Sequence, residues 1–272
     1  RERNRLISFY GRVNYNLLDK YLLTATIRRD GSSRFGINNR WGVFPSAALA
    51  WKIKEESFLK DFNFISDLKV RLGYGVTGNQ DIGNFRYSQT YQIDVKKGTE
   101  FGGIFYPGYN ITGIANPNLK WEQTAQFNFG IDYSILGNRI RGSIDLYHKK
   151  TSNLLLTIDA IQPAVSSTYL DNIGEMTNKG IEFSVNGSII NNKNFSWNAN
   201  FNIAYNKNKI TKLYNDKDII YGSISGAGAS GNSQILRVGQ PIGSFYGKKF
   251  LRLENGKEVF ESDERTVIGK AL

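Results

Sequence analysis

"TAQFNFGIDYSI" (Thr124–Ile135) changes character at every residue. Ala125, Phe127, Phe129, Ile131, Tyr133 and Ile135 share one parity, and Gln126, Asn128, Gly130, Asp132 and Ser134 the other. Successive side chains of a strand point to opposite faces, so the stretch predicts a strand with one apolar and one polar face. Whether that apolar face meets a protein core or hydrocarbon decides the fold.

The same parity recurs along the chain. Ile7, Phe9, Val13, Tyr15 and Leu17 alternate with polar residues, as do Leu68, Val70, Leu72, Tyr74 and Val76. Phe195, Trp197, Ala199, Phe201, Ile203 and Tyr205 repeat the pattern. Similar strands are expected over 20–29, 41–53, 139–150, 179–190 and 242–253. That makes roughly nine, with a tenth after the Asn255-Gly256 hairpin signal. Helical periodicity is nearly absent; "EESFLKDF" (55–62) offers at most a short turn of helix.

The links between strands alternate in length. "NLLDK", "ILGN", "INNKN" and "LENGK" are tight, and 54–66 is intermediate but occupies a short slot. Links near 30–40, 79–120, 151–178 and 208–241 are long. In an up-and-down meander this gathers short turns at one end and long loops at the other, as in outer-membrane barrels. The expected strands are also nearer the roughly 9–11 residues needed to cross hydrocarbon than the 5–6 usual in soluble sandwiches. Tyr15, Tyr21, Trp41, Trp51, Trp121, Tyr133, Trp197 and Tyr205 lie towards strand ends, where interfacial girdles form. The fold class read from the chain is therefore all-β: an antiparallel up-and-down transmembrane β-barrel segment.

Composition narrows the functions. The 272 residues contain no cysteine, which excludes thiolate chemistry and disulfides, and a single histidine. The net charge of +11 is scattered over strands and turns rather than gathered on a basic helix, so no nucleic-acid partner is expected. His148 reads as a solvated or packed strand-end residue, since a metal would need a second imidazole or thiolate. Asp30-Gly31-Ser32-Ser33 reads as a turn with an Asx cap. "SGAGASGN" (225–232) reads as a flexible loop tip. No catalytic constellation, cofactor motif or metal-ligand set is legible.

Three stretches, "RRDGSSRFGINNRWGVFPSAALAW" (28–51), "LKVRLGYGVTGNQDIGNF" (68–85) and "NPNLKWEQTAQFNFGIDYSILGNRIRGSIDLYHKKTSNLLL" (116–156), resemble SusC/RagA-type TonB-linked outer-membrane transporters. "NIGEMTNKGIEFSVNGSII" (172–190) and "RVGQPIGSFYGKKF" (237–250) continue the resemblance in order. It implies location in a Bacteroidetes-type bacterial outer membrane, in contact with its lipid. It also implies import of glycan or peptide fragments, a SusD-like surface lipoprotein as lid, and energy from TonB-ExbB-ExbD acting through a plug. No plug or TonB box is recognisable here, so residues 1–272 are expected to be a partial barrel domain, with the plug and further strands outside them.

Candidate ligand or lid contacts follow from aromatic and amide chemistry near the long-loop end, the mixture that binds polar ligands. Link 79–120 carries Asn79, Gln80, Phe85, Tyr87, Tyr91, Tyr106, Tyr109 and Asn110, and Arg40 and Glu122 flank the mouth. Arg12, Arg28, Lys69, Arg71 and Asn128 are expected to face the lumen, with Asp132, Arg141, Asp145 and Glu182. The alternative from another class is a soluble or secreted β-rich glycan-binding adhesin. A hydrolase built on Asp132 and Asp145 has little else to support it.

Overall fold

The computed structural model describes residues 3–226, 229–262 and 264–269. Its strands are β1 (Leu6–Leu17), β2 (Tyr21–Ser32), β3 (Trp41–Lys52), β4 (Ile65–Asn79), β5 (Thr90–Phe101) and β6 (Ile104–Gly113). There follow β7 (Glu122–Ile135), β8 (Ile140–Asp159), β9 (Thr168–Asn191) and β10 (Ser196–Lys212). Shorter strands complete the chain: β11 (Ile219–Gly226), β12 (Ala229–Leu236), β13 (Ser244–Gly247), β14 (Phe250–Glu254), β15 (Lys257–Phe260) and β16 (Thr266–Gly269).

Eight strands form one antiparallel meander in the order β1-β2-β3-β4-β7-β8-β9-β10. Its register fixes what each face carries, because directly paired residues share a face. Tyr15, Leu23, Leu49, Leu72, Phe129, Leu146, Ile181 and Tyr205 pair in succession across all eight strands. One residue along, Asn14, Thr24, Ala48, Gly73, Asn128, Tyr147, Gly180 and Asn206 form the corresponding row on the other face.

No second layer covers the apolar row among the described residues. Seven of its eight members are 39–66% exposed, and only Phe129 is half-buried. A contiguous apolar band of this width exceeds the patches that water-soluble monomers expose. From Trp197 to Tyr205 the outward side of β10 spans about 26 Å at roughly 3.3 Å per residue. At a tilt of about 35–45° that length rises roughly 18–21 Å, most of an apolar band about 25 Å tall. Aromatics mark both margins: Tyr21 stacks on Trp51 near the short turns, with centroids 6.2 Å apart. Phe9 stacks on Trp41 near the long loops, also at 6.2 Å.

The buried core lies instead at the long-loop end. Phe35, Phe44, Ile82, Leu119 and Trp121 form one cluster, and Ile210, Leu213 and Leu236 another. Trp121 therefore belongs to this core and not to an interfacial girdle: its ring sits 5.2 Å from Phe35 and 5.3 Å from Phe44.

Short links join at one end and long ones at the other, as the sequence indicates. The 53–64 link contains a 3-10 turn (Ile53–Glu55) and one turn of α-helix (Ser57–Lys60). There Glu56 accepts hydrogen bonds from Lys20 Nζ (2.9 Å), Tyr21 Oη (2.8 Å) and Trp51 Nε1 (3.0 Å). These three donors, Lys20 foremost, lower its carboxyl pKa to about 2.

Several expectations are corrected. The 79–120 link holds its own hairpin, β5–β6, as a separate two-stranded sheet. Strands β8 and β9 run 20 and 24 residues, far beyond the alternating stretches, and continue into the loop region. The expected strand 242–253 does not join the main sheet. Pro241 has no N–H to donate and Gly243 takes φ +79°, so strand pairing starts only at Ser244 with β13, and a further interruption at 248–249 separates it from β14. The main sheet thus has eight of the roughly nine or ten strands anticipated. Asn255 and Gly256, both at positive φ, do turn β14 into β15. The Asp30–Ser32 stretch ends β2 instead of forming an Asx turn: the Asp30 carboxylate accepts from Arg28 Nε at 2.7 Å. Most of 225–232 is the paired tip of β11–β12, with Ala227 and Gly228 outside the described residues.

Candidate functional site: the polar face and the long-loop end

Register places Arg12, Arg28, Lys69, Arg71, Asn128, Asp132, Arg141, Asp145 and Glu182 all on the polar face. Arg71 organises its centre. Its Nε and Nη2 donate to the two Asp132 oxygens at 2.9 and 2.7 Å, and Nη2 also reaches Asp145 at 2.8 Å. Lys69 adds a second cation to Asp132 at 2.9 Å. The guanidinium reaches two strands across because Gly130 lies between Arg71 and Asp145 in the register. A Cβ there would stand 2.6 Å from Asp145 Oδ1 and 2.7 Å from Arg71 Nη2. The planar fork suits this bidentate bridging better than a point-charge ammonium would.

Both carboxylates are engaged by one guanidinium, the arrangement of a structural ion-pair lattice. Hydroxyls and amides extend the polar surface: Arg12 donates to Thr26 at 3.1 Å, Thr24 to Asn14 at 2.9 Å, and Ser143 and Ser184 share a bond of 3.0 Å. Small residues Ala48, Gly73 and Gly130 make a depression of about 520 Å³ here, bordered by Asn128, Asp145, Tyr147, Lys149 and Glu182. Tyr147 and Lys149 went unmarked in the sequence reading, although they sit at the same parity as Asp145.

The loop-end candidates divide into two groups. Asn79 donates to Glu122 at 3.3 Å, and Glu122 also accepts from Leu155 N at 3.2 Å. The Arg40 carbonyl accepts from Trp121 Nε1 at 3.1 Å, and the Gln80 carbonyl from Arg34 at 3.1 Å. These four hold the mouth together. Phe85 is exposed at φ +62°, and Tyr87 is half-buried.

Tyr91, Tyr106, Tyr109 and Asn110 lie on the β5–β6 hairpin. Pairing sets Tyr91 and Ile93 on one face with Tyr109 and Ile111, and Tyr109 is 70% exposed. On the other face Asn110 Nδ2 donates to Asp94 at 2.8 Å. The Lys96 backbone N–H, then Asn110, hold the Asp94 carboxyl below its ordinary pKa.

Sequence reasoning missed the clamp beneath this hairpin. Asn172 accepts from Lys120 N (2.9 Å) and donates to the carbonyls of Lys120 (2.8 Å) and Asn153 (2.9 Å). Asn116 donates to the Leu170 carbonyl and to Asp171 at 3.1 and 2.9 Å. The string "NPNLKWE" is thus a segment stapled by amides to β9 and by Trp121 to the loop-end core.

A single sheet with apolar residues on one side, charged and amide residues on the other, aromatic margins and asymmetric loops is the wall of a transmembrane β-barrel. The family described as "TonB dependent receptor-like, beta-barrel" matches residues 1–241, and the chain belongs to it. It is accordingly an outer-membrane β-barrel segment, of a family of transporters and receptors and not of enzymes. The chain is 44% identical over 264 residues to TonB-dependent receptor SusC of Bacteroides thetaiotaomicron, covering 94% of this chain and 26% of that protein. It is 41% identical to TonB-dependent receptor P3 of Formosa agariphila, covering 92% and 25%. The structure "Structure of the RagAB peptide transporter" superposes with TM-score 0.83 at 28% identity, over 98% of this chain and 29% of that one. The chain spans about a quarter of the length of the curated relatives it matches.

Proposed function

We propose that this segment is lumen wall and loop-end scaffold of a TonB-dependent importer of glycan or peptide fragments. The observation that carries the reading is the unbroken two-faced register over eight strands, on a chain similar to SusC over nearly its whole length. The apolar face lies against outer-membrane lipid. The polar face lines the lumen, where the Arg71–Asp132–Asp145 lattice fixes the wall and the depression beside it offers amides and charges to a passing polar solute. The β5–β6 hairpin, with Tyr91 and Tyr109 outward, docks a SusD-like surface lipoprotein. Energy comes from TonB-ExbB-ExbD through a plug formed by other parts of the protein. The soluble-adhesin alternative is disfavoured because it leaves the apolar row facing water.

The test is deletion of the complete gene in its host, followed by uptake of labelled oligosaccharides and peptides. The expected outcome is loss of TonB-dependent uptake of one class, restored by the wild-type gene. Unchanged uptake of both classes contradicts the reading. Pull-down of the tagged wild-type protein is expected to retain a surface lipoprotein, and deletion of residues 88–115 to lose it.

A further inference from the structure

The outward face changes chemistry abruptly at its long-loop margin. Above the apolar pairs Leu146, Ile181 and Tyr205, the next outward register row is His148, Lys179 and Lys207 on β8, β9 and β10. All three are exposed. Neighbouring strands lie about 4.8 Å apart, so Lys179 and Lys207 oppose each other directly, a like-charge arrangement that destabilises a sheet unless an anion bridges it. One row further, Lys150 does have its counter-ion, Glu175 at 2.8 Å. Lys179 and Lys207 have none among the described residues. Directly below them lies an almost wholly apolar groove of about 500 Å³, walled by Phe127, Phe129, Leu146, Ile181 and Tyr205.

We infer that the groove beneath Lys179 and Lys207 holds an outer-leaflet lipid, its phosphate-bearing headgroup on the two ammonium groups and one acyl chain along the aromatic wall. Both halves of the ligand have a complementary surface here. The cations sit at the end of the apolar band, and the apolar groove adjoins them on its side. A basic pocket at a membrane margin is a general recognition device for anionic headgroups. His148 borders the site and extends its donors to three strands. A free phosphate would use the lysines but not the groove, so the groove commits the site to a lipid. The inference rests on the outward face being the lipid-facing one.

The experiment uses the complete transporter, purified from outer membranes in mild detergent as wild type and as K179Q/K207Q. Heat-modifiable migration first establishes that each is folded. Native mass spectrometry then follows titration with bisphosphorylated lipid A and with its dephosphorylated counterpart. The wild type is expected to bind the phosphorylated lipid at least about tenfold more tightly than the double variant, from roughly fivefold per lysine. The wild type should also prefer it to the dephosphorylated lipid. Where the double variant fails to fold, K207Q alone is read in the same titration, with about fivefold expected. Equal binding by wild type and variant, or equal binding of the two lipids, overturns the inference. Absence of the wild-type protein from outer membranes would instead overturn the lipid-facing reading beneath it.

Discussion

At the scale of single residues, the wall depends on one notch and one turn carboxylate. Arg71 spans β7 because Gly130 leaves room above the strand, so Gly130→Ala forces either the guanidinium or Asp145 aside. Overpacking of this kind costs about 1–3 kcal/mol. Denaturant unfolding of the complete protein in lipid vesicles, followed by tryptophan fluorescence, should show that loss for Gly130→Ala. The neighbouring inward glycine Gly73 has only ordinary contact room at 3.8 Å, and Gly73→Ala should cost markedly less. Glu56 makes a prediction about pH. Its folded pKa is drawn from 4.5 to about 2, so the unfolded chain takes up a proton first as pH falls. Its contribution is complete above about pH 4.5 and disappears on the way down to about pH 2. Glu56→Gln should remove that part of the acid sensitivity, read as the loss of heat-modifiable migration against pH. An unchanged acid profile would show that the three donors on Glu56 do not stabilise the turn.

Individual elements show why some of the fold was legible and some was not. The alternation in β1, β4, β7 and β10 marks membrane-crossing strands because each has water on one face and no protein on the other. The extensions of β8 and β9 were hidden by the left-handed Asn153 (φ +56°) and the bulges beside it, which reset the parity before Leu154-Leu155-Leu156. Leu155 and Leu156 then pack into the loop-end clusters, where burial from several directions erases period two. The β5–β6 hairpin had a Gly102-Gly103 turn signal, and Tyr91, Ile93 and Val95 alternate before it. A bulge between Asp94 and Gly98 breaks that run, so it read as loop. The polar-face residues could be assigned from parity alone, whereas Arg71's two partners could not, since cross-strand distance is invisible along the chain. At this scale the Asn172 clamp is decisive for the loop-end scaffold. Asn172→Ala removes two exposed hydrogen bonds to Lys120 and a partly buried one to the Asn153 carbonyl, and leaving that last group unsatisfied costs about 1–3 kcal/mol. Limited proteolysis should then cut near residues 114–121 at least several-fold faster, while the membrane-embedded core stays protected. Equal cutting rates would mean that the loop-end core alone holds the segment.

For the whole molecule, the question is which solvent each face meets. An arginine on the lipid-facing side of a barrel costs about 2–4 kcal/mol at the bilayer midplane. Leu146→Arg should therefore impair assembly, while Asn128→Arg on the opposite face should leave assembly intact. The absence of cysteine from this chain allows a finer reading. Single cysteines at positions 126 to 129 and 131 to 133, placed in a complete transporter free of other accessible cysteines and labelled with an environment-sensitive fluorophore in vesicles, sample both faces of β7. Labels at 127, 129, 131 and 133 should be quenched by lipid-borne nitroxide, and those at 126, 128 and 132 by aqueous iodide, following the two-residue period. Uniform quenching by iodide at all seven positions would contradict the account, because the apolar face of "TAQFNFGIDYSI" would then face water.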